Sequence, residues 1–159
     1  MPTVYIETSI ISYLASRPSR DLIVAAHQQI TQDWWETRHK WELLISALVI
    51  SESQAGDAEA AKRRLGYIQG LPILLLNDAV IDLAEKLLEG AALPLKAKDD
   101  ALHIAIATVY EINYLLTWNC KHIANANKRP VIDNICRDAG YNPSIICTPE
   151  ELLGDDYVE

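Results

Sequence analysis

The sequence predicts a three-layer α/β/α domain with a central parallel sheet of four to five strands. Two observations carry this reading. Short apolar runs (Thr3–Ile6, Trp41–Ser46, Leu71–Leu76, Tyr114–Trp118 and Ser144–Thr148) alternate with longer segments of helical periodicity. Strands that are continuously apolar, rather than alternating, are buried on both faces, as in a parallel sheet covered by helices. Polar, oxygen-bearing residues also stand just beyond two of these runs, Glu7 and Asn119, where open α/β sheets place their sites.

Taken in order, Thr3–Ile6 is a strand ending at Glu7, and Thr8 or Ser9 is placed to cap a helix through Ile10, Ile11, Tyr13 and Leu14. Pro18 and Ser19 break the chain before an amphipathic helix over Arg20–Arg38, whose apolar side includes Trp34 and Trp35. Core packing explains that tryptophan pair better than a base-stacking platform does. A second strand, Trp41–Ser46, runs into a short helix with Glu52 near its end. Gly56 and Asp57 restart a helix that ends near Gly70. Leu71–Leu76 is the third strand, and Asn77 or Asp78 caps the helix that follows. After a connection over Gly90–Lys96, Asp99 and Asp100 open a helix with apolar residues from Leu102 to Ile112. Tyr114–Trp118 is the next strand and ends at Asn119. Pro130 opens a helix ending at Gly140, Ser144–Thr148 is the last strand, and Pro149–Leu153 is a terminal turn.

The 159 residues are 50% apolar and 23% charged, which places the chain among ordinary globular proteins and outside the disordered class. One domain over 1–159 with an acidic C-terminal tail, 150–159, accounts for that length. No apolar run approaches the roughly 18–20 residues of a membrane span, so no membrane partner is expected. The strand pattern begins within four residues of the N-terminus, so a signal peptide is not expected. Three cysteines without metal-ligand spacing read as reduced thiols of a cytoplasmic protein. The net charge of −8 disfavours nucleic acid only superficially, because five acids fall in the last ten residues and leave 17 acids against 14 bases elsewhere. Basic clusters such as Lys62–Arg64 read as solvated helix faces.

Glu7, Glu52, Asp100 and Asn119 all fall at or near the C-terminal edge of the predicted sheet. Converging carboxylates repel one another, and a hard divalent cation resolves the conflict. Such a cation also activates water and stabilises charge on a phosphoryl oxygen. The residues therefore point to metal-assisted phosphodiester hydrolysis with Mg²⁺ or Mn²⁺. Asp99 has a simpler explanation in the helix dipole, and its side chain points about 100° from that of Asp100. His103, one turn after Asp100, reads as a hydrogen-bonded structural histidine. His122 and Lys121 are candidates for the substrate groove.

The segments YIETSIISYL (Tyr5–Leu14), LVISE (Leu48–Glu52), DALHIAIA (Asp100–Ala107), LLTWNCKHI (Leu115–Ile123) and TPEEL (Thr148–Leu152) resemble PIN-domain proteins. The likeness is strongest to VapC-like toxins of type II toxin–antitoxin systems. It implies a PIN-like fold, Mg²⁺ or Mn²⁺ as cofactor, cleavage of single-stranded RNA, homodimerisation, and inhibition by a cognate antitoxin. It also implies that Glu7, Glu52, Asp100 and Asn119 are the catalytic and metal-binding set, with Ser9 and Asp99 in support. Two positions depart from the pattern. Glu7 replaces the usual Asp, and Asn119 offers a neutral oxygen where many relatives have a carboxylate. Those departures open a second reading, a catalytically weakened PIN domain that binds RNA or protein. A phosphatase-type hydrolase ranks lower, because Glu7 stands where its aspartyl nucleophile would be.

Overall fold

The computed structural model describes residues 1–90 and 92–154. Among them, five parallel strands form one sheet in the order β3-β2-β1-β4-β5. These are β1 (Thr3–Ile6), β2 (Glu42–Ser46), β3 (Ile73–Leu74), β4 (Tyr114–Leu116) and β5 (Ile145–Cys147). The helices are α1 (Thr8–Ala15), α2 (Leu22–Glu36), α3 (Ala47–Gln54), α4 (Ala58–Ile68), α5 (Asp78–Glu89), α6 (Lys98–Val109), α7 (Arg129–Asp138) and α8 (Pro149–Leu153). The strand order reverses direction between β1 and β4. With right-handed crossovers, the helices after β1 and β2 must cover one face, and those after β3 and β4 the other. The packing agrees: α1, α2, α3, α4 and α8 pack among themselves, as do α5, α6 and α7. The expected three-layer α/β/α fold with a central parallel sheet is the fold found.

Both faces of the sheet are covered at its central strands. Val4, Tyr5, Ile6, Leu115 and Leu116 are essentially inaccessible, as are Ile10 and Ile11 of α1 and Ile104 to Ala107 of α6. Nearly all of α6 from Ala101 to Thr108 is buried, so this helix is central rather than amphipathic. Trp34 lies wholly in the core. Trp35 is held between the edge of Tyr67 and the Arg38 guanidinium, 4.6 Å from its ring centroid. The tryptophan pair thus serves packing. Gly90 ends α5 where an added Cβ would stand 2.5 Å from Ile135 Cδ1 of α7, so a larger residue there requires that side chain to shift.

Several boundaries differ from the expectation. The cap of α1 is Glu7, whose side chain accepts the Ser9 amide, and not Thr8 or Ser9. Asp21 caps α2, which therefore begins two residues after Arg20. The third strand shortens from Leu71–Leu76 to two residues at the sheet edge, where Pro72 has no N–H to donate and Leu75 is exposed. Helix α6 stops at Val109. Glu111 then turns the chain at φ 56°, and Ile112 packs from the turn rather than from the helix. The Lys62–Arg64 cluster is not simply a solvated face. Arg63 Nε donates to the Ala15 carbonyl (3.0 Å), and Arg64 Nε to the Ser53 carbonyl (2.9 Å), so both close the C-terminal ends of helices. Of the acidic tail over 150–159, Glu150 and Glu151 belong to α8, where Thr148 and Glu151 form a capping box. Asp155, Asp156 and Glu159 lie outside the described residues.

Candidate metal centre

The strand order reverses between β1 and β4, and the carboxyl ends of strands at such a switch point are where open α/β sheets place their ligand crevice. Pairing of the two strands continues to its rim, where the Glu7 amide donates to the Leu116 carbonyl at 3.1 Å. Glu7 is buried there. Its Oε1 accepts from the hydroxyls of Ser9 and Thr117, both at 2.5 Å, and its Oε2 from the Ser9 amide at 3.2 Å. Each hydroxyl in turn accepts a backbone N–H from the end of β4: Trp118 donates to Ser9 Oγ (2.9 Å) and Asn119 to Thr117 Oγ1 (2.9 Å). Two amide dipoles are thus relayed through two hydroxyls onto one carboxylate, which keeps a buried anion satisfied.

Glu52 arrives from α3. Its Oε1 accepts from Thr8 Oγ1 at 2.5 Å and lies 2.6 Å from His103 Nε2. Behind that contact, His103 Nδ1 lies 2.7 Å from the Tyr5 hydroxyl, which is 2.8 Å from Ser46 Oγ. Asp100 precedes His103 by three residues on α6, and so shares its face of the helix. Asp100 Oδ2 is 2.7 Å from His122 Nδ1. One ligand atom from each of Glu7, Glu52 and His103 lies within 4.8 Å of the other two.

The electrostatics follow from this crowding. Burial pushes the His103 pKa down, but the hydrogen bond to Glu52 and the negative charges of Glu7, Glu52 and Asp100 outweigh it, and the imidazole ends above its ordinary value. Partial burial acts to raise the pKa of Glu52. Its bond to His103, the charge of that ring and its bond to Thr8 prevail, and the carboxyl sits below its ordinary value. Burial, reinforced by the charges of Glu7 and Glu52 against the bond to Ser46, holds Tyr5 well above the ordinary phenol range, so it stays a neutral hydroxyl.

The two carboxylates that the structure brings together, Glu7 and Glu52, fit a hard cation. Asp100 stands outside the group of three whose ligand atoms converge and is linked to it through its place beside His103 on α6. Glu52 and Asp100 are each anchored through one oxygen, while Glu52 Oε2 and Asp100 Oδ1 accept no hydrogen bond among the described residues. Glu7 has more of its capacity engaged and retains room on Oε2, since a carboxylate has about four lone-pair sites. Carboxylate oxygens are the ligands that Mg²⁺ and Mn²⁺ prefer.

The remaining candidates fall in different places. Ser9 supports Glu7 directly. Asn119 directs its Oδ1 to the His122 amide (3.0 Å), closing the turn that delivers His122 to Asp100. Asp99 and Lys121 are exposed. The roles of Tyr5, Thr8 and Thr117 at the site leave no mark in the sequence, where tyrosine in a strand reads as core and threonine as strand or cap. Trp118 anchors the rim: His27 stacks on its ring at 4.0 Å, and its Nε1 donates to Thr31 Oγ1 at 2.8 Å.

Neither a protein-family model nor a curated protein matches the sequence. Among solved structures, the fold is similar to a chain of VapBC2 from Rickettsia felis, determined bound to a DNA fragment from its promoter. The two are 19% identical with a TM-score of 0.60, over 92% of this chain and 98% of that one. A likeness at that identity is one of fold.

Proposed function

We propose that this chain is a metal-dependent nuclease of VapC type, hydrolysing single-stranded RNA at the crevice between β1 and β4. The observation that carries the reading is the convergence of Glu7 and Glu52 at the end of a buried switch point, with Asp100 one turn from His103 on the neighbouring helix. Glu7, Glu52 and Asp100 would hold Mg²⁺ or Mn²⁺, which supplies charge stabilisation at phosphorus and a more acidic bound water. Glu7 is fixed by Ser9 and Thr117, Glu52 by Thr8 and His103, and Asp100 by His122. Asn119, expected as a fourth ligand, is assigned here to the turn that carries His122. The same reading includes a homodimer, inhibition by a cognate antitoxin and a cytoplasmic location. The VapBC2 structure was determined bound to a DNA fragment from its promoter, and by that likeness an antitoxin protein is the partner proposed for this chain. No helix among the described residues is long and apolar enough to cross a membrane.

One observation favours a second reading. Three hydrogen bonds tie up Glu7, and the Asn119 oxygen is committed to a backbone amide, so the site has fewer free anionic oxygens than four acids would give. A weakened nuclease acting as a binding module would follow. Incubating mixed-sequence single-stranded RNA with the protein and Mn²⁺, against an EDTA control, separates the two. The nuclease reading expects EDTA-sensitive cleavage that Asp100→Asn reduces by orders of magnitude. An inert wild type together with an active Glu7→Asp variant would select the binding module.

A further inference from the structure

The polar chain buried beneath the site has a role of its own, which rests on the metal-site reading above. Tyr5, Ser46 and His103 are almost completely buried, in a phenol–hydroxyl–imidazole string set inside an apolar core. Such groups destabilise a core unless their polar atoms are bonded. Here they are bonded in sequence. The Val49 amide donates to Ser46 Oγ (3.2 Å), Ser46 Oγ meets the Tyr5 hydroxyl, Tyr5 meets His103 Nδ1, and His103 Nε2 meets Glu52 Oε1. The string draws on β2, β1 and α6 and ends on one carboxylate oxygen of α3.

That end point is the only part of the string near solvent. The Glu52 side chain is 30% exposed and that of His103 1%. A glutamate on a surface helix, beside the like-charged Glu7, would ordinarily turn toward water, because solvation and repulsion both favour separation. Instead its Oε1 is gripped by His103 and Thr8, which leaves Oε2 unbonded within the described residues. The 2.6 Å separation of Nε2 from Oε1 leaves no room for a cation between them. In this geometry His103 holds a ligand and is not itself one.

We propose that Ser46, Tyr5 and His103 form a positioning chain that keeps the Glu52 carboxylate facing Glu7 in a geometry ready for a divalent cation. The chain acts on metal affinity through Glu52 and touches neither metal nor substrate. Partners of this kind, one shell out from a metal ligand, typically change affinity by about 10–100-fold when removed.

The test is Mn²⁺ affinity, read from the electron paramagnetic resonance signal of free Mn²⁺ during titration of the purified full-length chain. Tyr5→Phe deletes one oxygen, keeps the ring and leaves every proposed ligand in place. It is expected to raise the Mn²⁺ Kd by roughly 10-fold or more with an unchanged circular dichroism spectrum. His103→Leu should weaken binding at least as much, and His103→Gln, whose amide can still donate toward Glu52, should recover part of the loss. Wild-type affinity in Tyr5→Phe and in His103→Leu would overturn the positioning role and reduce the string to core packing. Absence of saturable Mn²⁺ binding by the wild type would overturn the metal reading itself, and the positioning role with it.

Discussion

Thr117→Val isolates the device that holds the first acid. Thr117 is fully buried. Its hydroxyl donates to Glu7 Oε1 at 2.5 Å and accepts the Asn119 amide at 2.9 Å, while its methyl group packs in the core. Valine keeps the shape and removes only the oxygen. The lost bond is to a charged group, worth about 1.5–3 kcal/mol, and an amide loses its acceptor at about 1 kcal/mol more. A loss of about 3 kcal/mol corresponds to a fall in Tm of roughly 6–12 °C for a domain of this size. Thermal unfolding followed by circular dichroism in EDTA at neutral pH measures it. Thr117→Ser is the control: it retains the hydroxyl and should cost about 1 kcal/mol for the missing methyl group. On a Glu7→Gln background, Thr117→Val should cost less, since the partner is then neutral and the two changes are coupled. If valine proves as stable as serine at this position, the hydroxyl does not support the carboxylate and this account of the site's anchoring is wrong.

Two further outcomes are expected. In EDTA, the His103–Glu52 pair should stabilise the fold most between about pH 4.5 and 6.5, the ordinary values of the two groups. The raised imidazole contributes fully below 6.5 and loses its effect as pH rises through its folded pKa, while the depressed carboxyl contributes above 4.5 and loses its effect as pH falls through its own. The Tm difference between wild type and His103→Leu, measured across pH, should therefore be widest in that window; a flat difference would contradict the pairing. Thiol titration should detect Cys120 alone in the native protein and all three cysteines after denaturation. Cys120 is exposed, whereas Cys136 and Cys147 are buried, and burial, chiefly, pushes the Cys147 thiol up to about 12.

The layers and the place of Glu7 were legible in the sequence because both rest on local pattern. Continuous apolar runs mark strands buried on two faces, and an acid following such a run marks the sheet's carboxyl edge. The bounds of β3 were not legible, because an edge strand beside Pro72 has the same apolar composition as a central one. The support of the site was hidden for a different reason. Tyr5 and His103 are 98 residues apart in sequence, and Glu7 and Thr117 are 110 apart. Hydrogen bonds at that separation leave no periodicity. A tyrosine within β1 counts equally well as an apolar residue, and a histidine within the buried stretch of α6 shows no sign of what it faces. Asn119 is an intermediate case: its spacing of three residues to His122 is that of a side chain capping a turn, which competes with its use as a ligand.

The account depends most on where a divalent cation binds, and anomalous diffraction from crystals soaked in Mn²⁺ would locate it directly. A peak is expected in the crevice between β1 and β4, about 2.1 Å from carboxylate oxygens of Glu52 and Asp100 and within reach of Glu7, and absent from an Asp100→Asn crystal soaked in the same way. A well-occupied Mn²⁺ elsewhere on the molecule, with this crevice empty, would contradict the metal centre and the nuclease built upon it.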